Sequence, residues 1–146
     1  TRRIGLMPRS AREIDLDPNT YVGLSFPLRA DSNNNFAMTK NSLQQAQHNL
    51  RNLLLTHPGE RVNQPEFGCR LRELCFEQRD EELPSKIEEV INEAVSLWLP
   101  YINVLEVETL SDEKNSIFVK LTYSTTLNSE TFEQITLDTS YTATQY

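Results

Sequence analysis

The stretch HPGERVNQPEFGCRLRELCFE, residues 57–77, holds two of the chain's four glycines and two of its seven prolines. The segments on either side of it repeat apolar residues at helical spacing. Pro58 disfavours helical geometry at His57, and Gly59 is free to take a positive φ, so a preceding helix ends here. Pro65 and Gly68 bracket a second tight turn that opens the next segment. Phe67 is placed to plug the gap between the two turns. Glu60 and Arg61 are adjacent and cannot pair face to face, so each needs another partner; Arg61 with Glu66 is the expected ion pair. On local physics alone the stretch is a rigid connection between helices.

Upstream of it, residues 40–57 put Leu43, Ala46, Leu50, Leu53 and Leu54 on one helical face. Ser42 with Gln45 resembles a capping box, and Thr39 is the alternative cap. Downstream, residues 69–77 bring Leu71, Leu74 and Cys75 to one face of a short second helix. Pro84 suits the first turn of a third. Its stripe runs Ile87, Val90, Ile91, Ala94, Val95 and Trp98, with Glu88, Glu89 and Glu93 largely off it, and Pro100 ends it.

The period then changes to two. NVLEVETL, residues 103–110, reads as a strand and SDEKN, residues 111–115, as a turn. Ile117, Val119, Leu121, Tyr123 and Thr125 form one face of a longer strand, with Lys120, Thr122 and Ser124 on the other. Asn128 and Ser129 read as a turn before a third strand over 131–141, where Ile135, Leu137, Thr139 and Tyr141 share a side. Helices segregated in sequence from strands imply an α+β fold, with three helices packed on one face of a three-stranded antiparallel meander.

Residues 1–38 show no sustained period and read as an extended N-terminal arm, ahead of a single domain over 39–146. Arg2, Arg3, Arg9 and Arg12 stand in the first twelve residues without an acid. That arm tip is +4, which leaves −11 on the rest of a chain whose net charge is −7. Val22, Leu24, Phe26 and Leu28 alternate and want a surface to cover. The arm is either a floppy terminus or a segment that orders on a partner; charge and alternation fit the second.

A chain of 146 residues fits one domain. A pI of about 4.8 argues against a general nucleic-acid binder, because phosphate contacts need clustered cations. No apolar run approaches the roughly 18 residues of a membrane span, and no signal peptide is legible. Cys69 and Cys75 stand six apart in a probable helix. That is about 9 Å at a helical rise, beyond the ~7 Å reach of a disulfide. Two reduced thiols suggest assembly in a cytoplasm. Two cysteines and two distant histidines make no zinc pattern, so neither a metal nor a cofactor is expected.

The central run closely resembles the baseplate wedge proteins of contractile tails. That family includes the sheath-initiating wedge protein of contractile phages, the TssE-like component of type VI secretion and counterparts in extracellular injection systems. Its pattern is a helix ending in T-x-P-G-E-R, a P-E/D-F-G-C/S-x-L turn and then L-F-E. In this chain those positions are Thr56, Pro58, Gly59, Glu60 and Arg61, then Pro65, Glu66, Phe67, Gly68, Cys69 and Leu71, then Leu74, Phe76 and Glu77. GLSFPL, residues 23–28, resembles the segment that precedes this helix in many members, and the likeness extends over about 21–139. One departure stands out. Where the family commonly has Glu-Pro-Arg between the last helix and the first strand, this chain has Leu99, Pro100 and Tyr101. The resemblance implies that this corner docks on the helical core bundle of the wedge, here by apolar and aromatic contact rather than charge.

The resemblance further implies a structural protein of the virion's tail baseplate, assembled in the host bacterial cytoplasm and present in several symmetric copies. Its expected partners are the tail sheath protein and other baseplate wedge proteins, with the tail tube or central hub as further neighbours and neither nucleic acid nor membrane. A meander has two edges, and exposed edges invite strand addition. The third strand, with Thr131, Glu133, Ile135, Leu137 and Thr139, is the expected site where a sheath segment adds. An edge covered by the chain's own residues 141–146 is the alternative. The four arm arginines are expected to reach an acidic neighbour, and a ring of copies multiplies that weak contact.

Members of the family have been called lysozyme-like, so a tail-associated cell-wall hydrolase is the rival reading. A glycosidase needs two carboxyl groups flanking the bond, one of them in an apolar cleft. Most acids here fall where a solvated helix face or turn is expected. Glu60 and Glu66 have unusual surroundings, but they lie beside the cation Arg61. Cys69 and Cys75 share a face with Leu71 and Leu74 and read as core, while His48 and His57 read as surface and cap residues. No catalytic residue is expected, and the chain is expected not to be an enzyme.

Overall fold

The computed structural model of the chain describes residues 10–15, 17, 19–76, 81–111 and 117–138. Four helices and five strands run through these residues. Helix α1 spans Ala11–Asp15, strands β1 and β2 span Gly23–Leu24 and Met38–Thr39, and α2 spans Ser42–Leu55. Helices α3 and α4 span Leu71–Phe76 and Leu83–Trp98, followed by β3 (Ile102–Ser111), β4 (Ile117–Thr125) and β5 (Asn128–Asp138). The expected three helices and three strands are thus joined by α1, β1 and β2. The first two lie in the region read as an extended arm, and β2 straddles its end at residue 38. A five-residue helix and two-residue strands are too short to leave a period in the sequence.

Asn41 caps α2, its Oδ1 accepting the Gln44 N–H at 2.8 Å. The capping box from Ser42 and the cap from Thr39 are both superseded. Thr39 Oγ1 bonds instead to the Gln45 side chain and to the Gly23 carbonyl. The Ser42 N–H donates to the Asp15 carboxylate, so α1 supplies an acid at the N-terminal end of α2, where the helix dipole favours one. Helix α4 carries Pro84 in its first turn and buries Ile87, Ile91, Ala94 and Val95.

The second sheet has the order β3-β4-β5, antiparallel throughout. Ile117, Val119, Leu121 and Tyr123 of β4 and Ile135 and Leu137 of β5 are buried on one face. They join Ala46, Leu50 and Leu53 of α2 and Ile87, Ile91 and Val95 of α4 in one core. Two details differ from the sequence reading. Ser124, expected on the outer face, is buried together with Tyr123 and Thr125, because the register shifts between Tyr123 and Thr125. The turn also falls earlier than Asn128 and Ser129. Thr125 pairs with Asn128, which leaves Thr126 and Leu127 as the turn residues. The Thr126 N–H donates to the Tyr101 carbonyl at 3.0 Å, and this bond to the preceding corner outweighs the local preference of Asn for turns. The expected 111–115 turn, apart from the backbone of Ser111 in β3, and the strand beyond Asp138 lie outside the described residues.

The decisive local geometry is between α2 and α3. Gly68 has φ +137°, and a Cβ there would sit 2.5 Å from the Thr56 oxygen and 2.9 Å from the His57 carbon and the Pro58 nitrogen. The Cys69 N–H donates to that same Thr56 carbonyl at 2.9 Å. The loop between is cinched by the Gly59 N–H, which donates to the Pro65 carbonyl at 2.6 Å. Gly59 also has a positive φ, +97°, but faces open space.

Two predictions follow from this packing. Gly68→Ala meets both left-handed backbone strain and a main-chain clash, so it should cost about 2 kcal/mol or more, whereas Gly59→Ala meets strain alone and should cost about 1 kcal/mol. Urea denaturation of the two variants measures the difference, and equal losses would show that the close approach at Gly68 carries no weight.

The second concerns Tyr123. Burial pushes its phenol well above the ordinary value, and the charge of Glu133, its cross-strand partner, adds to the shift. A group with a raised native value lends stability that is complete below its unfolded value, about pH 10 for Tyr, and lost as pH climbs toward the native one. The chain should therefore lose stability as the pH rises above about 10, and Tyr123→Phe should blunt that loss. At neutral pH the variant should stay within about 1 kcal/mol of the parent, since the Tyr123 hydroxyl has no hydrogen-bond partner among the described residues. Thermal melting across that pH range checks both points.

Candidate assembly site

The motif turn is held by side chains that point inward. Phe67 is buried and meets Trp98 of α4 edge-on, with centroids 5.2 Å apart. The Arg61 guanidinium lies 3.8 Å from the Phe67 ring centroid. Arg61 thus makes a cation–π contact, and the expected ion pair with Glu66 does not form. A planar guanidinium gains more from an aromatic face at van der Waals distance than from a solvated carboxylate. Glu60 finds other partners: its Oε2 accepts the His57 N–H at 3.1 Å, and its Oε1 is 3.8 Å from Arg72. His57 Nε2 lies 2.9 Å from Glu73, so the residue read as a simple cap has an acid partner. Both ion pairs are half exposed and contribute little. An open cleft of about 550 Å³ separates the turn from α4, lined by Pro58, Pro65, Glu66, Val90, Leu97 and Trp98 among others.

The docking corner divides. Pro100 and Tyr101 reach the surface, whereas Leu99 is 8% exposed and belongs to the core. Leu99 is therefore not available for docking, because the chain must bury an apolar side chain where α4 gives way to β3. The Tyr101 hydroxyl accepts a hydrogen bond from Asn49 Nδ2 at 2.8 Å, tying the corner to α2.

Strand β5 lies at an edge of the sheet, paired with β4 alone among the described residues. Thr131 and Glu133 are exposed, but Ile135 and Leu137 point into the core and can offer a partner only their main chain. Thr139 lies outside the described residues. Exposed side chains along the rest of the edge include Glu130, Phe132, Gln134 and Thr136, which the sequence reading passed over. Alternation could have found Gln134 and Thr136, which flank the core-facing Ile135 and Leu137, but not Glu130 and Phe132, whose neighbours are also exposed.

Of the arm contacts, Arg2, Arg3 and Arg9 lie outside the described residues, and only the backbone of Arg12, in α1, is described. Within the described residues, the arm around Val22 and Phe26 is fastened to the body. The Val22 N–H donates to the Thr39 carbonyl at 2.9 Å, and His48 Nδ1 stands 3.1 Å from the Phe26 nitrogen. The β1–β2 hairpin exposes Leu24 and Met38, with Tyr21, Leu28 and Phe36 close by in sequence. Among the described residues no three His, Cys, Asp or Glu side chains gather as a metal would require, and no helix is long and apolar enough to cross a membrane. What the arrangement supplies is surface for contact: a cleft, a corner and a strand edge.

Known proteins place this geometry. Among curated proteins none matches the chain by sequence. Among solved structures, a Geobacter sulfurreducens protein provisionally named a tail lysozyme is 27% identical, over 70% of this chain and 94% of that one, with a TM-score of 0.60. A chain of the anti-feeding prophage baseplate is 20% identical over 79% of this chain and 81% of that one, with a TM-score of 0.56. A chain of the postcontracted pyocin R2 baseplate is 18% identical over 67% and 97%, also at 0.56. These last two likenesses show the fold. A family model, that of baseplate wedge protein gp25, matches residues 41–130, from the N-cap of α2 into β5. That span holds the motif turn, the corner and strands β3 and β4, and it is well over half of the sequence, so the chain belongs to the gp25 family of baseplate wedge proteins.

Proposed function

We propose that the chain joins the wedge of a contractile tail to the first sheath ring and gives sheath polymerisation its starting surface. In this reading it sits in the inner baseplate as one of several symmetric copies. Its neighbours are the sheath protein, other wedge proteins and the tail tube or central hub, and it assembles in the bacterial cytoplasm before the particle leaves. The observation that carries the reading is the β5 edge, a row of main-chain donors and acceptors beside exposed side chains in a family of baseplate proteins. An added strand satisfies those groups and extends the sheet. The test is to prepare particles lacking this chain. Baseplates should form and carry tubes without sheath. Normal sheath would sink the reading, and loss of baseplate and tube together would assign the chain a general structural role instead.

The name of the Geobacter relative keeps a second reading in view, that of a cell-wall hydrolase. We propose that the chain is not an enzyme. Glu60 has both oxygens engaged, one with the His57 N–H and one beside Arg72, and the nearby Glu73 carboxylate is paired with the His57 ring. The purified chain should release no fragments from peptidoglycan. Release that disappears in Glu60→Gln or Glu66→Gln would establish the hydrolase.

A further inference from the structure

The meander ends in two edges, and they are not alike. Strand β3 carries a register shift between Val104 and Glu106, which breaks the row of main-chain groups it can present. Its Glu108 is already neutralised by Lys120 at 2.8 Å, the cross-strand partner from β4. A bulge and an internal ion pair are the usual ways in which a sheet edge is blunted.

Strand β5 has its own irregularity between Asn128 and Glu133, the stretch that holds Glu130 and Phe132, but no bulge over its second half. Residues 133–138 pair in unbroken register with β4, from Glu133↔Tyr123 to Asp138↔Phe118. Its charged residues are Glu130, Glu133 and Asp138, and it contains no lysine, arginine or histidine. Glu130 and Glu133 are exposed, and neither forms an ion pair among the described residues. Lys120, the basic residue of β4, faces Glu108 on the far side of the sheet from β5. Phe132 stands between the two glutamates, 61% exposed, as an apolar anchor.

Cross-strand neighbours attract when their charges are opposite and repel when alike. We infer that the strand which adds to β5 is basic, a segment of a partner protein bearing lysine or arginine opposite Glu130 and Glu133, with an apolar or aromatic residue against Phe132. This rests on the reading that β5 is where an outside strand adds. The same charges exclude other occupants. A second copy of β5 brings negative charges only, so no register yields an opposite-charge pair. Residues 139–146 of the chain contain no lysine or arginine. The acidic edge therefore selects its partner and resists self-pairing.

The experiment replaces the chain in contractile particles by Glu130→Lys/Glu133→Lys and counts sheathed tails by electron microscopy. Sheathed tails should fall about tenfold or more with baseplates retained and the melting temperature of the isolated variant unchanged. The isosteric pair Glu130→Gln/Glu133→Gln should lie between variant and parent, and it decides the matter if the lysine pair melts early. Sheathing at the parental level in the charge variants, with sheath lost when the chain is absent, would overturn the basic-partner inference alone. Sheath retained in the absence of the chain removes the β5 reading as well. Hydrogen exchange on the isolated chain adds a further check. Amides over 133–137 should be slow at alternate positions only, where they bond to β4; uniform protection would mean that the chain's own residues or a second copy cover the edge, and would overturn the inference.

Discussion

The contact between Gly68 and the backbone of Thr56–Pro58 is the constraint on which the rest of the molecule depends. There the chain that leaves α2 and the chain that enters α3 touch main chain to main chain, closer than any side chain permits. The hydrogen bond from the Cys69 N–H to the Thr56 carbonyl holds them in register. Because that approach is fixed, Phe67 is delivered against Trp98, Arg61 covers Phe67, and α4 is set in place over the sheet. A loop of two prolines, two glycines, a charge pair and an aromatic thus becomes a clamp between helices. The charges serve its local geometry: Glu60 holds the His57 N–H and Arg61 covers an aromatic ring.

The clamp positions one face of the sheet and leaves its edges to be managed separately. The inner face is covered by α2 and α4 through one apolar cluster. The edges are unequal, since β3 is interrupted and carries an internal ion pair, while β5 is irregular between Asn128 and Glu133, unbroken over 133–138, and acidic. In the function proposed for this chain, such differences are what a partner reads. The groups that matter are main-chain donors, exposed side chains and net charge along one strand. The family places the chain among baseplate proteins, and the unequal edges are what support the proposed addition of a strand to β5.

Much of this was legible in the sequence. The apolar stripes of α2 and α4 and the alternation of β4 are strong periodic signals, each long enough to define a buried face. The two turns were legible because proline and glycine act through their own backbone. What escaped was short or non-local. The N-cap belonged to Asn41 because Thr39 was drawn to Gln45 and Gly23. Arg61 chose an aromatic ring over Glu66 because Phe67 was held beside it from the other side by α4. The hairpin turned two residues early because of a bond to Tyr101, which belongs to a different connection. Leu99 read as surface from its place in a corner motif, yet the end of α4 rolls it into the core.

The sequence by itself determined the order and type of the long elements, the position of the turn between α2 and α3, and the family, because periodicity and proline–glycine chemistry are local properties of the chain. Only the tertiary structure decided which charges pair, which corner residues face outward, how the described part of the arm is fastened, and where each edge of the meander is interrupted. Those outcomes depend on distances between residues far apart in sequence, and such distances exist only once the helices are clamped onto the sheet.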